Sequence, residues 1–146
     1  KENKFIYINS EKKGPFKEIN NLCWSTDNKK LSIICSENDK KFIFIDSEKK
    51  GPFNNVSNLT WSPDGQKLAY VVQEPNNNYL HLDNIVYGPY ENISKLSWSE
   101  NSKILTFNVI TKKEFYKKII KENKEYIGTI FYNKSAYLID NQIILE

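Results

Sequence analysis

Phe5-Ile6-Tyr7-Ile8-Asn9-Ser10-Glu11-Lys12-Lys13-Gly14-Pro15-Phe16 returns as Phe42-Ile43-Phe44-Ile45-Asp46-Ser47-Glu48-Lys49-Lys50-Gly51-Pro52-Phe53, identical at ten of twelve positions. The interval is 37 residues, and Gly88-Pro89-Tyr90 repeats the Gly-Pro-aromatic element at the same spacing. Trp24, Trp61 and Trp98 are also 37 residues apart. Each is followed by Ser (Ser25, Ser62, Ser99) and preceded two positions earlier by Leu (Leu22, Leu59, Leu96). Columns locked to one period mark a repeat architecture, in which each unit is one supersecondary element that cannot bury its apolar face alone.

Working outward from these columns, each unit reads as four short strands. In the second, Leu59-Thr60-Trp61 alternates apolar and polar residues and ends at Ser62-Pro63-Asp64-Gly65, a tight turn. Leu68-Ala69-Tyr70-Val71-Val72 is a continuous apolar run suited to a strand covered on both faces. After Glu74-Pro75-Asn76-Asn77-Asn78 comes Tyr79-Leu80-His81-Leu82, and then Gly88-Pro89-Tyr90, where the missing proline N–H belongs on an edge strand. Four-stranded antiparallel meanders that must stack on one another point to a β-propeller. The expected organisation is a single domain over 1–146, with units at 20–56, 57–93 and 94–128. Residues 129–146 would join 1–19 in a composite fourth unit. Four blades is the low end for closure, so an open arc of a larger ring is the alternative. Lys112 to Glu125 carries Phe115/Ile119 and Tyr116/Ile120 at helical spacing, but the repeat register sets Tyr116 under Phe5, Phe42 and Tyr79 and favours a strand. In the fourth unit Tyr132 takes the tryptophan place.

Composition agrees. Leu, Ile, Val and Phe number 41 of 146 residues, enough apolar surface to build a core. Aromatic and β-branched residues number 48, against two Ala and no Met, a strand-forming balance. No apolar run approaches the ~20 residues of a membrane helix. The chain opens without Met or an apolar leader, as a mature form or an excised piece would. All 21 positive side chains are Lys, against 18 acids; without Arg and at net +3, nucleic acid is not an expected partner.

Trp61-Ser62-Pro63-Asp64-Gly65-Gln66-Lys67-Leu68-Ala69-Tyr70 resembles the signature of TolB-type, WD-like β-propeller repeats of bacteria, W-S-P-D-G-x-x-[LI]-[AV]-[FY]. Trp24-Ser25-Thr26-Asp27-Asn28-Lys29-Lys30-Leu31 and Trp98-Ser99-Glu100-Asn101-Ser102-Lys103-Ile104-Leu105 keep it in part, without the Pro-Asp-Gly turn. The resemblance spans about residues 5–111. It implies a scaffold of the kind found in exported binding proteins and beside hydrolase domains, in a periplasmic or extracellular location.

Few residues invite chemistry. His81 is the only histidine, shares a column with Tyr7 and Phe44, and has no metal-spaced Cys or His partners, so neither a metal nor a cofactor is expected. No Ser-His-Asp assembly follows from one strand histidine, and no catalytic residue is assigned. Asp46 and Asp83, aligned with Asn9, read as turn caps, as do Asp27 and Asp64. Cys23 and Cys35 fall on adjacent strands; a Trp24–Ser32 pairing sets Cys23 opposite Ile33, about 7–8 Å from Cys35 on the diagonal, which predicts free thiols. The tryptophan column reads as packing between units.

The loops vary between units while the strands do not, and rigid scaffolds carry function on such loops. The expected contact surface is therefore a rim containing Asn20, Asn54, Asn55 and Asn92 between fourth and first strands, and Asn38, Asp39 and Asn77 between second and third. The function read from these features is a non-catalytic scaffold that binds a protein or other macromolecule, as a monomer or as paired arcs. The alternatives are the propeller portion of a larger exported hydrolase, gating or docking its substrate, and a sugar-binding propeller with exposed tryptophans.

Overall fold

The computed structural model describes residues 2–110, 115–122, 124–131, 134–139 and 142–145, with side chains for 2–109, 118–122 and 124. The described residues are strands and tight turns, with no helix. A two-stranded sheet, β1 (Lys4–Ile8) and β2 (Glu11–Phe16), comes first. The first full sheet is β3 (Glu18–Trp24), β4 (Leu31–Glu37), β5 (Lys40–Ile45) and β6 (Glu48–Phe53). The second is β7 (Asn55–Trp61), β8 (Leu68–Gln73), β9 (Asn78–Leu82) and β10 (Ile85–Tyr90). The third runs β11 (Asn92–Trp98), β12 (Ile104–Ile110), β13 (Phe115–Lys121), β14 (Lys124–Phe131), β15 (Lys134–Ile139) and β16 (Gln142–Leu145). Every pairing is antiparallel between chain neighbours, the meander expected of a propeller blade.

The repeat is kept down to register. Lys4 faces Phe16 and Ile6 faces Lys13 in the first hairpin; Lys41 faces Phe53 and Ile43 faces Lys50 in its counterpart. The Gly-Pro dipeptides lie on β2, β6 and β10, each the outer edge of its sheet, where a residue without an N–H breaks no ladder. Glu125 and Tyr126 occupy the corresponding positions in β14, and there the sheet continues into β15 and β16. Among the described residues β14–β16 are hydrogen-bonded onto the third sheet and β1–β2 form a two-stranded sheet. Phe115–Lys121 is a strand, as the repeat register requires. Tyr132 lies outside the described residues.

Packing between sheets follows the same columns. Ile34, Ile43, Cys23, Ile45 and Phe53 of the first sheet meet Val56, Leu59, Trp61, Leu68, Tyr70 and Val72 of the second. One repeat later, Val71, Leu80, Leu82 and Tyr90 meet Ile93, Leu96, Trp98, Leu105, Phe107 and Val109. One repeat earlier, Ile6, Ile8 and Phe16 meet Ile19, Leu31, Ile33 and Cys35. The second sheet hides one face against the first sheet and the other against the third, so stability comes from stacking.

The tryptophans show how each interface is tied. Trp61, 8% exposed, donates its indole N–H to the Cys23 carbonyl at 3.3 Å and to the Ser32 hydroxyl at 3.2 Å, both in the preceding sheet. Ser32 in turn donates to Cys23 O at 3.0 Å. In the next interface Ala69 stands in the Ser32 column, and the buried Trp98 Nε1 finds no acceptor among the described residues. Ala69→Ser is expected to supply that acceptor in a space its column already shapes for a hydroxyl, raising stability by about 0.5–1.5 kcal/mol. Urea midpoints of the two proteins check this; a lower midpoint for the serine variant would refute it.

Candidate functional site

The strands end at two rims, and they differ in what their polar groups do. One rim holds the turns after each tryptophan and the turns between third and fourth strands. Ser25, Ser62 and Ser99 donate to Asp27, Asp64 and Asn101, 2.5–2.8 Å away, and accept the backbone N–H groups of Lys30, Lys67 and Ile104. Asp46 and Asp83, at φ of 51°, accept the backbone N–H groups of Leu31 and Leu68 at 2.9 and 3.1 Å, bonding across to the second strand. Hydrogen bonds to the Ser25 and Ser62 hydroxyls hold the carboxyls of Asp27 and Asp64 below the usual carboxylate range. These polar groups are occupied by the repeat itself. A cleft of about 290 Å³ opens here between the first and second sheets, its mouth carrying Lys30, Asp46, Glu48, Lys50 and Asp83 above Trp61.

The opposite rim holds the expected contact residues. Asn38 and Asp39 are exposed and form the β4–β5 turn with φ of 48° and 60°, a two-residue hairpin turn that favours Asn and Asp for their tolerance of the left-handed region. Asp39 takes the Lys17 ammonium at 2.8 Å, which lowers its own pKa and raises that of Lys17. Glu18 takes Lys41 at 3.3 Å and the Asn20 amide at 3.4 Å, and its pKa falls for the Lys41 contact first. Asn54 accepts Lys40 at 2.5 Å and donates to Glu74, while Asn55 donates to Gln73 at 2.5 Å. The structure thus links Asn54 of the first sheet's exit to Glu74 of the second sheet's loop, and gathers Lys17, Glu18, Asn20, Asp39 and Lys41 alongside. Asn77 is half-buried, its carbonyl accepting the Glu74 N–H at 2.9 Å. Asn92 is exposed at the start of β11. Asn78, the last residue of the Asn76-Asn77-Asn78 loop that the sequence set on the contact rim, is instead buried and donates to Glu91 O at 2.7 Å, fixing the next connection.

The remaining candidates are structural. His81 stacks on Tyr70 at 5.0 Å and meets Phe53 edge-on at 5.8 Å; burial first and the Lys50 charge second lower its pKa. Among the described residues no group of three or more His, Cys, Asp or Glu could hold a metal. No helix there is long and apolar enough to cross a membrane. Both cysteines are free, but the register differs from expectation: the turn pairs Trp24 with Leu31 and so Cys23 with Ser32, and a bulge between Asn20 and Cys23 then brings Cys35 opposite Ile19. They belong to different apolar clusters, Cys23 with the second sheet and Cys35 with β1–β2.

Stability is expected to fall as pH rises above about 9. Burial pushes the Cys35 thiol from its ordinary 9.0 up to about 11. Burial first, then the charges of Glu48 and Asp83, push the Tyr70 hydroxyl from 10.0 to about 12. Both shifts are upward, so the folded state keeps protons that the unfolded chain releases. The contribution is complete below pH 9 and is lost through 11–12, with a slope of up to about 1.4 kcal/mol per pH unit for each proton held. Urea midpoints at pH 8 and 10.5 test this, and equal midpoints would contradict it.

Trp24 overturns one expectation. Trp61 is buried and Trp98 packs against the core, but Trp24 is 52% exposed and the neighbouring Leu22 59%. Among the described residues β1 and β2 lie ahead of β3, and they pack on Ile19, Leu31, Ile33 and Cys35 and leave Leu22 and Trp24 uncovered. Ile85 and Val86 are likewise exposed on the edge strand β10, where the other edges carry Glu11-Lys12 and Glu48-Lys49.

No family model and no curated protein matches the sequence. Among solved structures the chain is similar to TolB from Acinetobacter baumannii, with a TM-score of 0.52 at 12% sequence identity. The match covers 88% of this chain and 42% of TolB, so the chain spans less than half the length of that neighbour. The likeness shows the fold: an all-β propeller architecture of four-stranded antiparallel sheets.

Proposed function

We propose, from a propeller fold similar to TolB's, that this chain is a non-catalytic scaffold whose rim of Asn20, Asn38, Asp39, Asn54, Asn55, Asn77 and Asn92 binds a protein or another macromolecule. One observation carries the reading. On the opposite rim the polar side chains are spent on the repeat's own turn hydrogen bonds, in the same pattern sheet after sheet. On this rim the loops differ between units, Glu37-Asn38-Asp39 against Glu74-Pro75-Asn76-Asn77, and side chains pair with one another at the surface. Variable polar loops on a rigid stack are suited to specific surface recognition. In this reading the protein works in an exported compartment, periplasmic or extracellular, a location supported by the resemblance stated above.

The test is a photocrosslinking side chain placed at Asn38 or Asn55, with Glu100 on the opposite rim as the comparison, exposed to an extract of the source cells. A discrete light-dependent adduct from positions 38 and 55 but not from 100 is the expected result. Equal labelling from both rims, or none from either, overturns the assignment.

A further inference from the structure

The cleft between the first and second sheets has Tyr70 in its wall, a side chain only 2% exposed. The Tyr70 hydroxyl makes no hydrogen bond among the described residues, although the charges of Glu48 and Asp83, both at the cleft, act on it. A buried hydroxyl left unpaired is costly, and its column does without one elsewhere, with Ile33 in the first sheet and Phe107 in the third. Glu48 and Lys50 stand at the mouth, 3.7 Å apart. One repeat later their columns hold Ile85 and Tyr87, and Tyr87 and Phe107 are buried in the apolar cluster there. One repeat earlier Glu11 and Lys13 are kept, but with Ile33 in place of the tyrosine. Only between the first and second sheets do the acid, the lysine and the hydroxyl coincide.

The other groups around the cleft decide what it takes. Asp46 and Asp83 each spend one carboxylate oxygen on a backbone N–H, of Leu31 and Leu68, and keep the second unpaired among the described residues. The Lys30 ammonium lies 5.7 Å over the Trp61 ring and makes no hydrogen bond among the described residues. Donors and acceptors are therefore interleaved. A cationic ligand would meet Lys30 and Lys50, and an anionic one would meet Asp46, Glu48 and Asp83. A neutral ligand whose hydroxyls both donate and accept satisfies both sets. Ile45, Trp61 and Leu68 add an apolar patch suited to the C–H face of a sugar. The volume of about 290 Å³ is at the small end of ligand clefts, room for a single ring.

We propose that this cleft binds one neutral sugar ring, with the Tyr70 hydroxyl as its buried hydrogen-bond partner. Asp46 and Asp83 accept from the ring's hydroxyls, Lys30 donates to them, and the apolar patch takes the ring's C–H face. The site lies on the rim opposite the proposed contact surface and stands whether or not that surface binds a macromolecule.

The isotope-labelled full chain is titrated with methyl β-D-glucopyranoside, methyl β-D-galactopyranoside and methyl α-D-mannopyranoside. The backbone amides of Leu31 and Leu68 and the Trp61 indole are followed by NMR. Saturable shifts at these groups, with a dissociation constant on the order of 1 mM for at least one glycoside, are the expected result. Lactose and cellobiose carry galactose and glucose as their outer rings. Binding as tight as that of the methyl glycosides assigns the site to a glycan end, and weaker binding assigns it to a free ring, either of which upholds it. Tetramethylammonium and acetate, the cationic and anionic contrasts, should leave the same signals in place. Tyr70→Phe installs the residue that the third sheet already carries in that column. It should weaken sugar binding about five- to tenfold without lowering the thermal midpoint. Glu48→Ile combined with Lys50→Tyr, the residues of the next interface, should abolish binding. The proposal fails if no glycoside gives a saturable shift up to about 100 mM, or if tetramethylammonium or acetate binds more tightly than every sugar. It fails equally if Tyr70→Phe binds sugar as the parent chain does, or melts at a lower temperature, since the hydroxyl would then serve the fold.

Discussion

Phe107→Ala is expected to lower stability by about 3–5 kcal/mol, the range for emptying a large aromatic site in a close-packed interior. Phe107 is fully buried between the second and third sheets and meets Tyr90 edge-on, with ring centroids 5.8 Å apart. Its column holds Tyr70 in the second sheet and Ile33 in the first, so the truncation opens a cavity at the centre of an inter-sheet interface. A single domain has only about 5–15 kcal/mol to lose, and one such cavity consumes much of it. The comparison is Tyr7→Ala, at a side chain 69% exposed, where a change within about 0.5 kcal/mol is expected. Urea unfolding followed by far-ultraviolet circular dichroism measures both. Equal, small losses would mean that the second and third sheets do not pack as described.

Gly51→Ala is the second large effect. Gly51 sits at φ +122°, and a Cβ there would come within 2.9 Å of the Lys41 carbonyl oxygen and 3.0 Å of the Phe42 ring. Lys41 belongs to β5, the strand paired with β6, so relief requires backbone movement in the ladder itself. The dihedral strain alone costs about 1–3 kcal/mol, and the contact adds to it. Gly65 gives the contrast. At φ +69° it lies in the left-handed region that other residues visit, and its nearest neighbour would be the Asp27 carboxylate at 2.9 Å, a side-chain end that can yield at the expense of its Ser25 hydrogen bond with no movement of backbone. Gly65→Ala should therefore cost about 1 kcal/mol. Thermal midpoints order the two variants, and a Gly51 variant as stable as the Gly65 one would refute the argument.

The period of 37 made the sheets, their strand order and most of their contacts readable from the chain, because equivalent residues meet equivalent neighbours. The same logic failed at Trp24. A column fixes the face a residue presents, but burial also needs the sheet that covers that face. Asn20-Asn21 read as a loop, yet both lie within β3, where Asn21 takes a φ of 47° at a bulge. Asn58 and Lys95 repeat that conformation at 55° and 50°, and the lysine hid the pattern because only the asparagines announce tolerance of positive φ. The Cys23 pairing moved by one position ahead of that bulge, because the turn closes on Trp24–Leu31, and the extra residue shifts the pairing again from Asn20 toward the strand's start. Asn38 and Asp39 were read for contact, and their residue types answer first to the turn they form. The lost proline of β14 was legible in the sequence as a departure from the repeat. Its effect, a sheet that keeps growing, follows only once proline is seen as what ends the other sheets.

The hairpins β1–β2 and β5–β6 share register as well as sequence, so a refolding chain offers β4 two mates of nearly one composition. Connectivity decides between them. A sheet in the order β2-β1-β4-β3 would set β2 and β3 about 14 Å apart, and Lys17, the one residue between Phe16 and Glu18, spans at most about 7 Å. The two-residue turn at Asn38 and Asp39 meanwhile holds β5 beside β4. Fidelity of assembly in a molecule that repeats itself so closely thus rests on the shortness of two links.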